Sequence, residues 1–284
     1  MANRRTLAGE VFTKGVTLHA GVAAQLRLRG SPPGSGISFR RVDLRGTAPI
    51  PALWSQIAET KLGTVLRGAD GAGVGVVEHL LAALAGAEID DCLIEIDGPE
   101  PPALEGDALS YLELIDGAGV HLQGARNAIT VKKEVTASSG PGRATLLPSR
   151  TREFFFEIDF ASRAIGRQSF AFRFTPEGFR REIAPARTFG FFEEAEQLRA
   201  AGYGRGADLT NTLVVKGDAL MNPGLQRFDD EFVRHKILDA IGDLALAGAP
   251  LIARFEGRKS SHALNNQLLR TLFSDPSNYE VAAE

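Results

Sequence analysis

Hydrophobic and polar positions alternate in short runs along much of the chain, a pattern that predicts β-strands. Residues 11–13, 24–29 and 36–41 show this period of two, in which one face of each strand is apolar. Beyond residue 125 the pattern starts again, and phenylalanine alternates with other residues at 153–160 and 168–174. Such alternation is typical of pleated, half-buried strands.

Other stretches carry apolar residues at helical spacing. The first predicted helix runs from Val76 to Ala85, after the glycine-rich segment 71–75, and Gly86 is expected to be its C-cap. Further helices are predicted at 106–118, 191–201, 230–248 and 263–273. The final segment, 274–284, is short and polar and is expected to fray.

The restart of the strand pattern predicts two domains. We place the N-terminal α/β domain at residues 1–125 and the C-terminal α/β domain at residues 126–284. A length of 284 residues suits two domains of ~100–150 residues each. The mixture of strand and helix patterns predicts an α+β fold.

The composition of the chain excludes several classes of protein. The chain is 44% hydrophobic and has a net charge of −3, and its scattered basic residues indicate no nucleic-acid surface. The single cysteine, Cys92, excludes a disulfide framework and fits a reducing cytoplasm. The N-terminus lacks the apolar region of a signal peptide, and no apolar run is long enough to span a membrane, so we expect a cytoplasmic protein, with peripheral membrane contact left open. We also expect a monomer.

The candidate chemistry begins with His235, Asp239 and Asp243. Because they are spaced four residues apart, they align on one face of a helix. An imidazole and a carboxylate one helical turn apart, such as His235 and Asp239, can both bind a metal ion such as zinc. Asp243 is then free to orient another side chain or to take part in acid–base chemistry. The alternative is an exposed hydrogen-bonded pair, which this spacing often forms.

A second candidate pair, Glu78 and His79, lies on the first predicted helix. If His79 binds a metal, Glu78 can serve as general base towards water without being a ligand itself. His79, His235 and Asp239 would form a His₂Asp set with an open fourth position, as in catalytic zinc sites. The alternative for Glu78 and His79 is a solvated helix start.

Several single residues complete the candidates. His262 could be a fourth ligand or a general acid whose pKa Asp243 raises; the alternative is a surface residue that caps a helix. Lys236 could bring positive charge to an oxyanion, Thr188 could offer a hydroxyl, and His19 could line a pocket.

Together these segments resemble the zinc-dependent UDP-3-O-acyl-N-acetylglucosamine deacetylase family (LpxC), which catalyses the committed step of lipid A synthesis in Gram-negative bacteria. The resemblance covers nearly the whole chain in the family's order. The matching segments are Gly-Val-Thr-Leu-His-Ala-Gly (15–21), Val-Glu-His-Leu-Leu-Ala-Ala-Leu-Ala-Gly (77–86), Ile-Glu-Ile-Asp-Gly-Pro-Glu (94–100), Ala-Arg-Thr-Phe-Gly-Phe (186–191), Asp-Glu-Phe-Val-Arg-His-Lys-Ile-Leu-Asp-Ala-Ile-Gly-Asp-Leu (230–244) and Lys-Ser-Ser-His-Ala-Leu-Asn-Asn (259–266).

The resemblance implies a role for each matched residue. The zinc ligands that it implies are His79, His235 and Asp239. For proton transfer it implies Glu78 as general base, His262 as general acid and Asp243 as the carboxylate paired with His262. The substrate-binding residues that it implies are Leu18, His19, Thr188, Phe189 and Lys236, of which Thr188 and Lys236 also stabilise the tetrahedral oxyanion.

The resemblance also implies the architecture and the substrate. The family fold has two similar α/β domains, each a small sheet with two helices, and the helices pack between the two sheets. The site lies at the domain junction and contains Zn²⁺. The substrate is a small acylated nucleotide sugar, from which water removes an N-acetyl group.

The chain departs from the family pattern in loops. Gly206-Ala-Asp-Leu-Thr-Asn stands where the family typically has Gly-Gly-Ser-Leu/Phe-Asp, so that Ala207, Asp208 and Thr210 are unusual. Ser261 replaces a glycine before the matched histidine. We therefore expect weaker turnover of the standard substrate than in typical members. The alternatives are a divergent paralogue that deacetylates another N-acyl sugar, a catalytically silent binding protein on this scaffold, and a metal-free acyltransferase.

Overall fold

A computed structural model describes residues 2–284 as a mixture of helices and small sheets, which confirms the α+β class. Up to residue 125 its elements are β1 (Asn3–Leu7), β2 (Val11–Val16), β3 (Ala23–Gly30), β4 (Ile37–Arg41), β5 (Ile50–Pro51), β6 (Ile57–Glu59), β7 (Val65–Arg67), β8 (Gly73–Val74), α1 (Glu78–Gly86), β9 (Cys92–Ile96), α2 (Leu109–Ala118) and β10 (Val120–Ala125). The order β2–β3–β9–β4–β5 forms one sheet, β6, β7 and β8 form another, and β1 pairs with β10.

The second half builds a larger sheet. Its elements are β11 (Asn127–Val131), β12 (Val135–Ser139), β13 (Gly142–Pro148), β14 (Glu153–Asp159), β15 (Arg167–Arg173), α3 (Pro176–Glu182), β16 (Phe189–Phe191), α4 (Phe192–Ala200), β17 (Leu213–Lys216), β18 (Ala219–Leu220), α5 (Glu231–Ala245), β19 (Leu251–Arg258), α6 (His262–Ser274) and β20 (Tyr279–Ala283). Strand β19 pairs with β13 along one edge and with β11 and then β14 along the other. Strands β16, β17 and β18 form a separate small sheet.

The alternation seen in the sequence sets the core face of the strands. In β14, Phe154, Phe156 and Ile158 are buried, whereas Phe155 and Glu157 between them are only half-buried. This is the period-two pattern expected of a strand with one face against the core.

Helix α5 is buried on almost every side and packs against α1 and α6. Helix α1 begins at Glu78, two residues later than predicted, because Val76 has a φ of 52° and so cannot continue a right-handed helix. Gly86 is also not the expected C-cap. It lies inside α1, where a Cβ would come within 2.3 Å of the Phe179 ring, so this glycine permits close packing.

The prediction of a frayed C-terminus was wrong. Residues 279–283 form β20, which pairs antiparallel with β11 at the edge of the larger sheet. Ladder hydrogen bonds satisfy the backbone of this polar segment, and local composition gives no sign of such distant pairing. The chain passes from β10 to β11 at Arg126, a buried residue whose Nε lies 2.9 Å from Asp90 Oδ1.

Candidate active site

The polar stripe predicted on α5 lies inside the protein. His235, Asp239 and Asp243 are all buried, which excludes the alternative of an exposed surface pair. Nε2 of His235 lies 3.3 Å from Oδ1 of Asp239, one turn further along the helix. The spacing in the sequence therefore produces the side-chain proximity that it predicted.

Helix α1 brings His79 to the same place. Its Nε2 is 3.6 Å from Asp239 Oδ1, and its ring stands nearly perpendicular to that of His235, with 4.9 Å between the ring centroids. The possible ligand atoms of these three residues lie within 4.8 Å of one another. Two histidines and a carboxylate, contributed by two helices, thus converge on one point.

These residues fit a metal ion such as zinc. Oδ1 of Asp239 is buried and has no hydrogen-bond partner among residues 2–284, which is costly unless another group satisfies this oxygen. Nδ1 of His235 lies 3.0 Å from the carbonyl oxygen of Ala186 and must donate to it, so the lone pair is on Nε2, which faces Asp239. Burial lowers the pKa of His235 to about 3, and a neutral imidazole is the form that binds metals.

A second trio lies beside the first and consists of Glu78, Asp243 and His262. Nδ1 of His262 is 2.8 Å from Asp243 Oδ2, and its Nε2 lies 4.0 Å from Glu78 Oε1 and 3.9 Å from Asp239 Oδ2. His262 is therefore held by one carboxylate and directed towards the metal trio. The structure brings together all six residues matched to metal binding and proton transfer.

The surroundings of Glu78 and His262 shift the pKa values of these two side chains. Burial raises the pKa of Glu78 above its ordinary value, which favours a carboxylate that can take up a proton. Burial by itself lowers the pKa of His262, but the charges of Asp243 and Glu78 outweigh it and raise the pKa to about 9. A base and an acid of opposite initial charge thus stand side by side.

Two further residues hold this arrangement, and no role was predicted for either of them from the sequence. The Thr64 hydroxyl donates to Asp243 Oδ1 at 2.6 Å, and its backbone N–H donates to Glu78 Oε2 at 2.9 Å. Asn265 donates to Asp243 Oδ2 at 2.9 Å. Asn265 lies in the motif around His262, so a signal for it existed, whereas nothing in the sequence around Thr64 indicates its contacts.

Lys236 and Phe189 lie next to the trio of His79, His235 and Asp239. Nζ of Lys236 is 2.6 Å from Asp239 Oδ2, and although burial alone lowers the lysine pKa, this carboxylate raises it. The Phe189 ring is edge-on to His235, with 6.3 Å between centroids. Thr188 is half-buried and immediately precedes β16, and its backbone N–H donates to the carbonyl oxygen of Gly106 at 2.9 Å.

Leu18 and His19 lie in the loop after β2, which contacts the loops that contain Leu62 and Glu100. Leu18 is buried, and Nε2 of His19 lies 2.6 Å from the carbonyl oxygen of Leu62, two residues before Thr64. Glu100, another residue missed in the sequence, fixes this loop by accepting the backbone N–H of His19 at 2.8 Å. Its position in the matched segment 94–100 is the only signal that pointed to it.

The departures in the loops have local structural partners. Asp208 accepts hydrogen bonds from the Thr210 hydroxyl and backbone at 2.6 and 2.7 Å, and these bonds lower the Asp208 pKa. Ser261 is the N-cap of α6, and its hydroxyl accepts the backbone N–H of Leu264. These hydrogen bonds thus stabilise the turn at Asp208 and the start of α6.

None of the helices among the described residues is both long and apolar enough to cross a membrane.

The chain is similar to known proteins over nearly its whole length. A family profile described as "UDP-3-O-acyl N-acetylglycosamine deacetylase" matches residues 4–274. A UDP-3-O-acyl-N-acetylglucosamine deacetylase of Myxococcus xanthus is 46% identical over 280 residues, which are 98% of this chain and 89% of that protein. Proteins of the same name from Brucella melitensis (biotype 2) and Geobacter sp. are 42% and 41% identical over 282 residues, which cover 99% of this chain and 98% and 92% of those proteins. The chain therefore belongs to the UDP-3-O-acyl N-acetylglycosamine deacetylase (LpxC) family.

Proposed function

We propose that this protein hydrolyses the N-acetyl group of UDP-3-O-acyl-N-acetylglucosamine in lipid A biosynthesis. The observation that carries the proposal is the pair of adjoining trios, one suited to a metal and one to proton transfer. The relatives match nearly the full chain, and the name that they share supports the choice of substrate. The cytoplasmic location and the monomeric state expected from the sequence remain predictions.

We assign Zn²⁺ to His79, His235 and Asp239, whose ligand atoms lie close together around the unpartnered Asp239 oxygen. When bound there, Zn²⁺ supplies Lewis-acid polarisation of a carbonyl oxygen and lowers the pKa of a water molecule. Lys236 keeps Asp239 oriented through its ion pair and adds positive charge near a developing oxyanion. Thr188 offers its hydroxyl to the same oxyanion.

Glu78 and His262 carry out the proton transfers. Glu78, whose pKa burial raises, accepts a proton from the water that attacks the acetamide carbonyl. His262 is held through Nδ1 by Asp243, so its Nε2 proton is the one donated to the departing nitrogen. The C–N bond breaks, the oxygen of the water becomes part of acetate, and the sugar leaves with a free amine. Leu18, His19 and Phe189 form the walls that position the substrate.

We also propose the two-domain arrangement of the family, with boundaries at residues 1–125 and 126–284 and the helices packed between two sheets. Each main sheet takes its strands from one half alone, and α1 packs against α5 across the two halves. The active site then lies where the halves meet.

The test is deacetylation of UDP-3-O-acyl-N-acetylglucosamine with the zinc content measured alongside. His79→Ala should lose both zinc and turnover, whereas Glu78→Gln should keep zinc and lose turnover by roughly 10²–10⁴-fold. His121→Ala, at an exposed histidine on β10, is the matched control. Near-normal turnover in both site variants would refute the proposal. Faster turnover of simpler N-acetylglucosamine conjugates would favour a paralogue that acts on another sugar.

A further inference from the structure

A cavity lies beside the C-terminal ends of α1 and α5. Its volume is about 280 Å³, just below the range that is typical of ligand pockets. It is lined by Ala85, near the C-terminal end of α1, and by Leu244 and Ala245 at the C-terminal end of α5. No residue assigned above to the metal, to proton transfer or to substrate lines it. The cavity is therefore separate from the active site.

The walls of this cavity are mostly apolar and come from both halves of the chain. Among them are Ile37, Leu53, Leu146, Ile241, Leu251 and Phe255. An apolar wall of this kind suits a hydrocarbon chain, because burying such a chain removes its surface from water.

One charge in the wall lacks a partner. The other charged lining residues are paired: Arg4 with Asp91 at 2.6 Å, Arg126 with Asp90 at 2.9 Å, and Glu153 with Arg173 at 3.7 Å. Arg152 alone among them has no carboxylate within ion-pair distance in the part of the chain that the structure describes. The cavity thus has one surplus positive charge.

The guanidinium of Arg152 is placed to bind an anion. It stacks on the Phe174 ring, 3.7 Å from the centroid, which leaves the N–H groups at its edge free. Burial lowers its pKa to about 10, so it stays charged at neutral pH. A partly buried, unpaired cation is costly, and two parallel hydrogen bonds to a carboxylate would offset that cost.

We propose that this cavity binds a medium-chain fatty acid, with its carboxylate on Arg152 and its chain along Ile241, Leu244 and Phe255. Because its walls include residues of both α1 and α5, an occupant stabilises the packing of these helices. Ile241 and Leu244 flank Gly242 and Asp243, so binding there bears on the helix segment that orients His262.

The experiment is a titration of the whole protein with decanoate. The signal is the fluorescence of Trp54, the single tryptophan, which follows the cavity residue Leu53. We expect saturable binding and a higher Tm, and no such binding of decylamine, whose charge is opposite. Arg152→Gln should weaken decanoate binding by roughly tenfold to a hundredfold. Arg150→Gln, at an exposed arginine two residues away, should bind as the wild type does.

Two results would overturn the proposal. One is equal affinity of the wild type and Arg152→Gln for decanoate. The other is competition between decanoate and the nucleotide-sugar substrate, which would place the chain in the active site. If Arg152→Gln does not fold, Arg152→Lys keeps the charge but loses the two-pronged geometry, and its affinity should still fall. Unchanged affinity in this variant would also contradict the proposal.

Discussion

Gly242 of α5 lies against the backbone of Glu78 in α1, so that a Cβ at position 242 would fall 2.0 Å from the carbonyl oxygen of Glu78. Real Cβ atoms do not approach other atoms so closely, and here the obstacle is backbone rather than a flexible side chain. The two helices are thus in near backbone contact at the point where His79, His235 and Asp239 converge.

We predict that Gly242→Ala forces α1 and α5 apart and lowers both stability and zinc affinity. Overpacking of this kind typically costs about 1–3 kcal/mol of unfolding free energy. Gly117→Ala is the matched control, because Gly117 is also helical but has open space around its Cβ position. That change should be neutral or stabilise by about 0.4–1 kcal/mol. Equal stability of the two variants in urea unfolding would contradict the prediction.

We predict that Thr64→Val slows deacetylation with little change in zinc content. The substitution removes the 2.6 Å hydrogen bond to Asp243 but keeps the backbone bond to Glu78. A hydrogen bond to a charged group is worth about 1.5–3 kcal/mol, so kcat should fall roughly tenfold to a hundredfold if this bond aligns Asp243 and His262. Thr145→Val, at a buried threonine on β13, should leave kcat unchanged.

The alkaline limit of activity should depend on Asp243. His262 must be protonated to act as an acid, so the rate should fall as pH rises through its pKa of about 9. Asp243→Asn removes a negative charge that raises this pKa, while the opposing effect of burial remains. The limit should therefore move to lower pH, by roughly 1–3 units. A pH–rate profile that keeps the wild-type alkaline limit would rule out this role of Asp243.

Removal of the metal should lower the Tm. A metal that binds only the folded state stabilises it, by about 4 kcal/mol when its free concentration is a thousand times its Kd. Calorimetry with zinc and with a chelator should therefore give different transitions for the wild type. Asp239→Ala, which lacks the unpartnered Oδ1, should show one transition in both conditions. A wild-type Tm that does not respond to chelation would contradict the assignment of the metal.

Much of the site followed from short-range sequence patterns. His235, Asp239 and Asp243 share a helix, so a spacing of four residues was enough to predict their common face. Their contacts with Glu78 depend on tertiary packing, which the family resemblance implied and no local pattern could supply. Thr64 was missed because it is 179 positions from its partner Asp243.

The wrong predictions about the fold also arose from tertiary packing, which local sequence patterns do not show. The helical spacing of its neighbours predicts that Val76 is helical, but its backbone is left-handed. The sequence pattern predicts Gly86 as a C-cap, although this glycine makes room for Phe179 from a different helix. Strand β20 exists because β11 offers it an edge, which is a property of the sheet rather than of the segment.

Because α1 and α5 both contribute residues to each trio, their packing determines how the protein is inactivated. Each trio takes residues from both helices: His79 joins His235 and Asp239, and Glu78 joins Asp243. Sliding or separation of the helices therefore dismantles both trios in one event. Inactivation by unfolding should therefore be all-or-none and should coincide with the parting of these two helices, because neither trio can persist without the other once they separate.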